Sequence, residues 1–87
     1  MTAAYMSLAD QLTVTVQAFR LGMEGQANEN FAGLIDALGG VLEEASPLKM
    51  NELSQLLPEI LSAQNRQDYL GLADLLAYRL APLLGLS

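Results

Sequence analysis

The sequence predicts an all-α protein, a small up-and-down antiparallel four-helix bundle, on three observations. Leu, Ala and Met supply most of the apolar residues, which make up 52% of the chain, while aromatics make up only 6%; straight-chain and alanyl side chains lose little rotamer freedom in a helix. Apolar residues recur at three- and four-residue spacing in four successive stretches. Between these stretches lie connections of about two to five residues with helix stop and start signals, and such short connections make consecutive helices antiparallel neighbours. Residues 1–87 read as one domain, without internal repeat, linker or low-complexity segment.

The first helix begins near Ser7, a capping residue with Asp10 three positions on, although Thr2 offers an earlier cap. Leu8, Leu12, Phe19 and Met23 fall on one face, with Thr15 and Val16 in the middle turn. Val14, Ala18 and Leu21 make a second, weaker stripe, and Gly25 is the natural stop. The second helix begins near Asn28, and Phe31, Leu34, Ile35, Leu38 and Leu42 mark its core face. Gly39 and Gly40 are awkward there, since each interior Gly costs about 1 kcal/mol relative to Ala. Either the helix breaks, or the missing side chains let another backbone approach closely. Gly33, Ala37 and Gly40 form a small-residue strip away from the apolar face, which favours close approach and a helix continuous to about Ala45.

Ser46-Pro47 is a strong restart signal, a cap followed by Pro at the first helical position. Met50, Leu53, Leu57, Ile60 and Leu61 mark the core face of the third helix, and Pro58 kinks it without ending it, because the apolar spacing continues in phase. Asn65 ends this helix and caps the fourth, with Asp68 at the third position. The fourth runs to about Leu84, Pro82 disturbing only its last turn.

Ten acidic residues against four basic ones leave a net charge of −6, which argues against nucleic acid and against anionic membrane surfaces. Without Cys or His the chain lacks thiolate chemistry, the commonest acid/base group and the commonest metal ligand. Residues 1–6 lack the pattern of a signal peptide, and the apolar final stretch is too short to span a bilayer comfortably, so membrane insertion is not expected and a cytoplasmic protein is. Glu43-Glu44 is the only adjacent carboxylate pair, and neighbours on a helix diverge by about 100°. Gly39-Gly40 follows a helix and lacks the Lys-Ser/Thr of a phosphate loop, and Asn28-Glu29-Asn30 lacks the further ligands of a calcium loop. No catalytic residue, cofactor or metal site is expected, and the protein is not expected to be an enzyme.

The informative stretch is 69–84, which carries only two charged residues, Asp74 and Arg79. An outer helix shows one apolar stripe, whereas one that is apolar nearly all round lies centrally, against another protein, or both. Gln67, Gly71, Asp74 and Tyr78 share a narrow strip suited to solvent. Ala73, Ala77 and Ala81 allow close helix approach, and Leu72, Leu75, Leu76, Leu80 and Leu83 fill the rest. Arg79 falls near the Leu-rich side, where it snorkels or pairs with an acid of another helix or subunit, Glu43, Glu52 and Glu59 being candidates. Tyr5, Tyr69 and Tyr78 are candidate contact anchors.

Residues 68–84 resemble a C-terminal pattern of small uncharacterised bacterial all-helical proteins, DYxxLADLLEYELxPLL, over about a fifth of the chain. Ala77 and Arg79 stand where that pattern has acids. Some such proteins are associated with motility and surface-glycosylation gene clusters. The resemblance implies a cytoplasmic bacterial accessory protein and carries no catalytic residue.

The expected function is therefore a protein-interaction module (adaptor, chaperone-like or regulatory), homodimeric and binding another protein. Its expected interface comprises Tyr69, Leu72, Ala73, Leu76, Ala77, Arg79, Leu80 and Leu83, helped by Gly33, Ala37 and Gly40. The alternative is a bundle whose apolar interior admits an acyl chain or other lipid.

Overall fold

A computed structural model describes residues 7–86 of the chain; Thr2 as an earlier cap and Tyr5 as an anchor lie outside the described residues. Helices α1 (Leu8–Arg20), α2 (Glu24–Glu44) and α3 (Pro47–Asn65) are followed by α4 (Tyr69–Leu75), a π-helical segment (Leu76–Leu80) and α5 (Ala81–Leu83). The last three are continuous and form the fourth rod. Among the described residues there is no strand.

Local chemistry sets most of the ends. The Ser7 hydroxyl accepts from the Asp10 N–H at 3.1 Å and opens α1, and the Ser46 hydroxyl accepts from the Lys49 N–H at 3.3 Å, with Pro47 behind it, to open α3. α1 stops earlier than Gly25. Gly22, at φ +74°, donates to the Phe19 carbonyl while Met23 donates to that of Ala18, which satisfies two orphan carbonyls and ends the helix at Arg20. α2 accordingly starts at Glu24 and not at Asn28, and Met23 leaves the helical face on which the sequence places it, being 48% exposed.

The same termination closes α3. Gln67, at φ +61°, donates to the Gln64 carbonyl, and Asp68 donates to that of Ala63. This turn moves the fourth cap from Asn65 to Asp68, whose carboxylate accepts from the Gly71 N–H at 3.1 Å. Gln67 holds the left-handed conformation at a cost glycine avoids, so Gln67→Gly is expected to raise stability by up to about 1 kcal/mol, measurable by urea unfolding.

α2 is continuous to Glu44 through Gly39 and Gly40, and α3 is one helix through Pro58. The fourth rod differs from the expected regular helix. Pro82 has no N–H to give the Tyr78 carbonyl, and the turns before it widen: the Ala81 N–H reaches back five residues to the Leu76 carbonyl. The disturbance thus extends beyond the last turn. It also keeps Leu72, Leu76 and Leu80 on the buried side, where a regular helix at i, i+4, i+8 drifts around its axis.

α1 packs between α2 and the fourth rod, and α3 packs against the fourth rod. The molecule measures 35 × 32 × 20 Å, about two helix diameters thick. The core draws Leu12, Val16 and Phe19 from α1, Ala27, Phe31, Leu34 and Leu38 from α2, Leu53, Leu56, Ile60 and Ala63 from α3, and Leu72, Ala73, Leu76, Leu80 and Ala81 from the fourth rod. Phe19 holds three elements together, with its ring edge-on to Phe31 (centroids 6.1 Å apart) and stacked on Tyr69 (5.2 Å). Thr15 is fully buried and donates its hydroxyl to the Gln11 carbonyl at 2.6 Å. On α3 the fully buried line runs through Leu53, Leu56, Ile60 and Ala63, with Leu57 partly buried against it; Leu61 follows Ile60 by about 100° and so turns outward, and Met50 is also exposed.

Candidate functional site

The structure divides the expected interface. Leu72, Ala73, Leu76 and Leu80 have no solvent exposure within the single chain. These four cannot form a surface for a partner, and the reading of them as interface is corrected. The fourth rod is apolar on most sides because α1 and α3 both pack on it, which is the central placement and not the external one. Tyr69 and Leu83 are half-buried against the core. Arg79 is exposed, and its Nη2 lies 3.4 Å from the Glu59 Oε2. One of the three candidate acids is thus the partner, in the same chain. With both side chains about half exposed, such a pair contributes at most about 1 kcal/mol.

The small-residue strip behaves differently. Gly33 and Gly40 are exposed, Ala37 is half-buried, and a Cβ added at Gly33, Gly39 or Gly40 would meet nothing within 4 Å. Packing among the described residues does not account for these glycines. Gly39→Ala and Gly40→Ala are therefore each expected to stabilise the monomer by about 1 kcal/mol in urea unfolding, through helix propensity alone.

α2 carries Glu24, Glu29, Asp36, Glu43 and Glu44 and no basic residue, and all but Glu24, about 180° around the axis from Gly33, lie on the strip's side. Glu29, Asp36 and Glu43 recur every seven residues and are exposed, so they form one acidic line beside Gly33 and Gly40. The strip descends into an open cleft of about 590 Å³ at the α2–α3 corner, floored by Ala37, Gly40, Val41 and Ala45 and rimmed by Glu44, Ser46 and Lys49. Leu48, beside that rim in sequence, is 72% exposed.

Two further grooves flank α1. Val14, Ala18, Leu21 and Met23 line one of about 280 Å³ with Gln17, Gln26 and Asn30; of the second stripe of α1, Leu21 is exposed while Ala18 is buried in the core. A slot of about 300 Å³ runs between α1 and residues 77–86. At its end Arg20 sits over the ring of Tyr78 (5.6 Å to the centroid) and 3.4 Å from Asp74. These contacts across the elements were not legible from sequence spacing, which places Asp74 and Tyr78 on one strip but says nothing of Arg20.

Among the described residues no group of three or more Asp or Glu side chains is placed to hold a metal ion, and no helix is long and apolar enough to cross a membrane. Comparison of the chain with protein-family models, curated proteins and solved structures gives no match.

Proposed function

We propose that the chain is a non-enzymatic protein-interaction module, cytoplasmic and adaptor-like or regulatory, which receives a helix of another protein along the open face of α2. The observation that carries this reading is the run of uncompensated glycines. Gly33, Gly39 and Gly40 weaken a 21-residue helix by about 1 kcal/mol each without relieving any internal crowding. Their benefit then lies outside the chain: side-chain-free backbone lets a second helix approach closely.

The acids on that face select the partner. Two copies meeting through this face of α2 would set Glu29, Asp36, Glu43 and Glu44 of one against the same four of the other with no base on the helix to offset them, and like charges placed opposite one another are destabilising. With Leu72, Leu76 and Leu80 internal as well, the part of the fourth rod first assigned to a homodimer offers a second copy only its rim residues Tyr69, Ala77, Arg79 and Leu83. A partner helix with Lys or Arg flanking a small or apolar seam fits the face instead.

The test is an NMR titration with a designed amphipathic helical peptide of Lys, Ala and Leu. The amides of Gly33, Ala37 and Gly40 are expected to shift saturably, more weakly at high salt. Gly40→Leu is expected to keep or raise the melting temperature, since Leu is the better helix former, while abolishing those shifts. Shifts spread over the whole acidic surface, or unchanged in Gly40→Leu, would overturn the reading.

A further inference from the structure

The slot between α1 and residues 77–86 has a chemistry of its own. Its walls are Ala9, Leu12 and Val16 on one side and Ala77, Ala81 and Leu86 on the other, with Thr13 and Gln17 at the lip. From Ala9 to Arg20 it follows α1 for about 16 Å at 1.5 Å per residue. A volume of about 300 Å³ over that length leaves room for one extended alkyl chain, not for a helix about 10 Å across. Among the described residues the only charged one lining it is Arg20, at one end, in a protein of net charge −6.

Arg20 is available to an anion. Its ion pair to Asp74, the single one among the described residues, joins side chains that are 42% and 65% exposed, and solvent-screened pairs of this kind are cheap to exchange. Only one guanidinium nitrogen faces Asp74, and Tyr78 supports the group from below, so further N–H donors remain for a carboxylate.

We propose that this slot binds a free single-chain carboxylate amphiphile of medium length, with its head on Arg20 and its chain along Leu12, Val16 and Ala81. This goes beyond the α2 reading and uses a separate surface. Asp74 competes with the ligand for Arg20, so affinity is set by how readily the pair opens.

Sodium decanoate below its micelle concentration, titrated against the full chain and followed by NMR, tests the proposal. The methyl groups of Leu12, Val16, Ala77 and Ala81 are expected to shift together and saturably. Decanol and decyltrimethylammonium are expected to produce weaker or no saturation at these methyls. Arg20→Gln is expected to weaken decanoate about ten-fold or more, the loss of one charge-assisted contact, and Asp74→Asn to tighten it. Thr13→Phe, at an exposed position whose hydroxyl donates only to the Ala9 carbonyl, is expected to fill the slot and abolish the shifts while leaving the melting temperature and the α2 peptide titration unchanged. It serves as the second variant should Arg20→Gln prove unstable. Absence of saturation at those methyls, equal affinity in Arg20→Gln, unimpaired decanoate binding in Thr13→Phe, or binding only to anionic phospholipid vesicles would overturn the proposal.

Discussion

Leu76→Asp is expected to unfold the protein outright. Leu76 has no solvent exposure, and it lies on the π-helical segment between α4 and α5. Truncating such a leucine to Ala alone costs about 2–5 kcal/mol. An ionised carboxylate in the same place adds a desolvation penalty, because none of the four basic residues reaches the core: Arg20, Arg66 and Arg79 make surface pairs and Lys49 lines the open cleft at the α2–α3 corner. A domain of this size holds only about 4–13 kcal/mol of stability in total. Circular dichroism should therefore show little helix at 25 °C, and no cooperative melt on heating, for Leu76→Asp. Leu70→Asp provides the contrast, since Leu70 is 66% exposed on the same rod and its replacement is expected to change stability by less than about 0.5 kcal/mol. If Leu76→Asp instead gave a folded chain that had merely lost an association, the placement of the fourth rod would be wrong.

Phe19→Ala carries the second-largest expected effect, about 3–5 kcal/mol in urea unfolding. Phe19 is 2% exposed, and its ring is the junction at which α1 meets α2 through Phe31 and the fourth rod through Tyr69. Few aromatics are available to fill the space, so the cavity closes poorly. Phe19→Leu is expected to lose less, because it keeps most of the volume and forfeits chiefly the ring–ring terms, about 0.5–1.5 kcal/mol each. A cost below about 1 kcal/mol for Phe19→Ala would show that the three elements do not depend on this contact.

The parts of the fold that local chemistry dictates were legible. Ser7, Ser46 and Pro47 start helices because their own side chains satisfy or excuse the first amides. The line of Phe31, Leu34 and Leu38 on α2 is buried as its spacing requires. Asn65 and Asp68 are both competent caps, and the choice between them fell to the turn at Gln67, whose left-handed conformation nothing in its residue type foretells. The wide turns ahead of Pro82 were likewise hidden, since the missing N–H is local but the way the helix absorbs it depends on what packs around it.

For the candidate sites the division is similar. Gly33, Ala37 and Gly40 stand out in sequence as a strip at helical spacing, yet only the structure shows open space above the two glycines. The slot beside Arg20 was not legible at all, because it arises where α1 and the fourth rod, far apart in sequence, lie side by side.

By itself the sequence determined an all-helical chain of four rods, their approximate limits, and the composition that leaves α2 acidic. Only the tertiary structure decided what covers the apolar surface of the fourth rod. Periodicity measures how wide an apolar arc is and cannot say whether another helix of the same chain or a partner lies upon it. With α1 and α3 both against that rod, Leu72, Leu76 and Leu80 are core, and the two proposed binding surfaces, the bare face of α2 and the slot that ends at Arg20, are built from other residues.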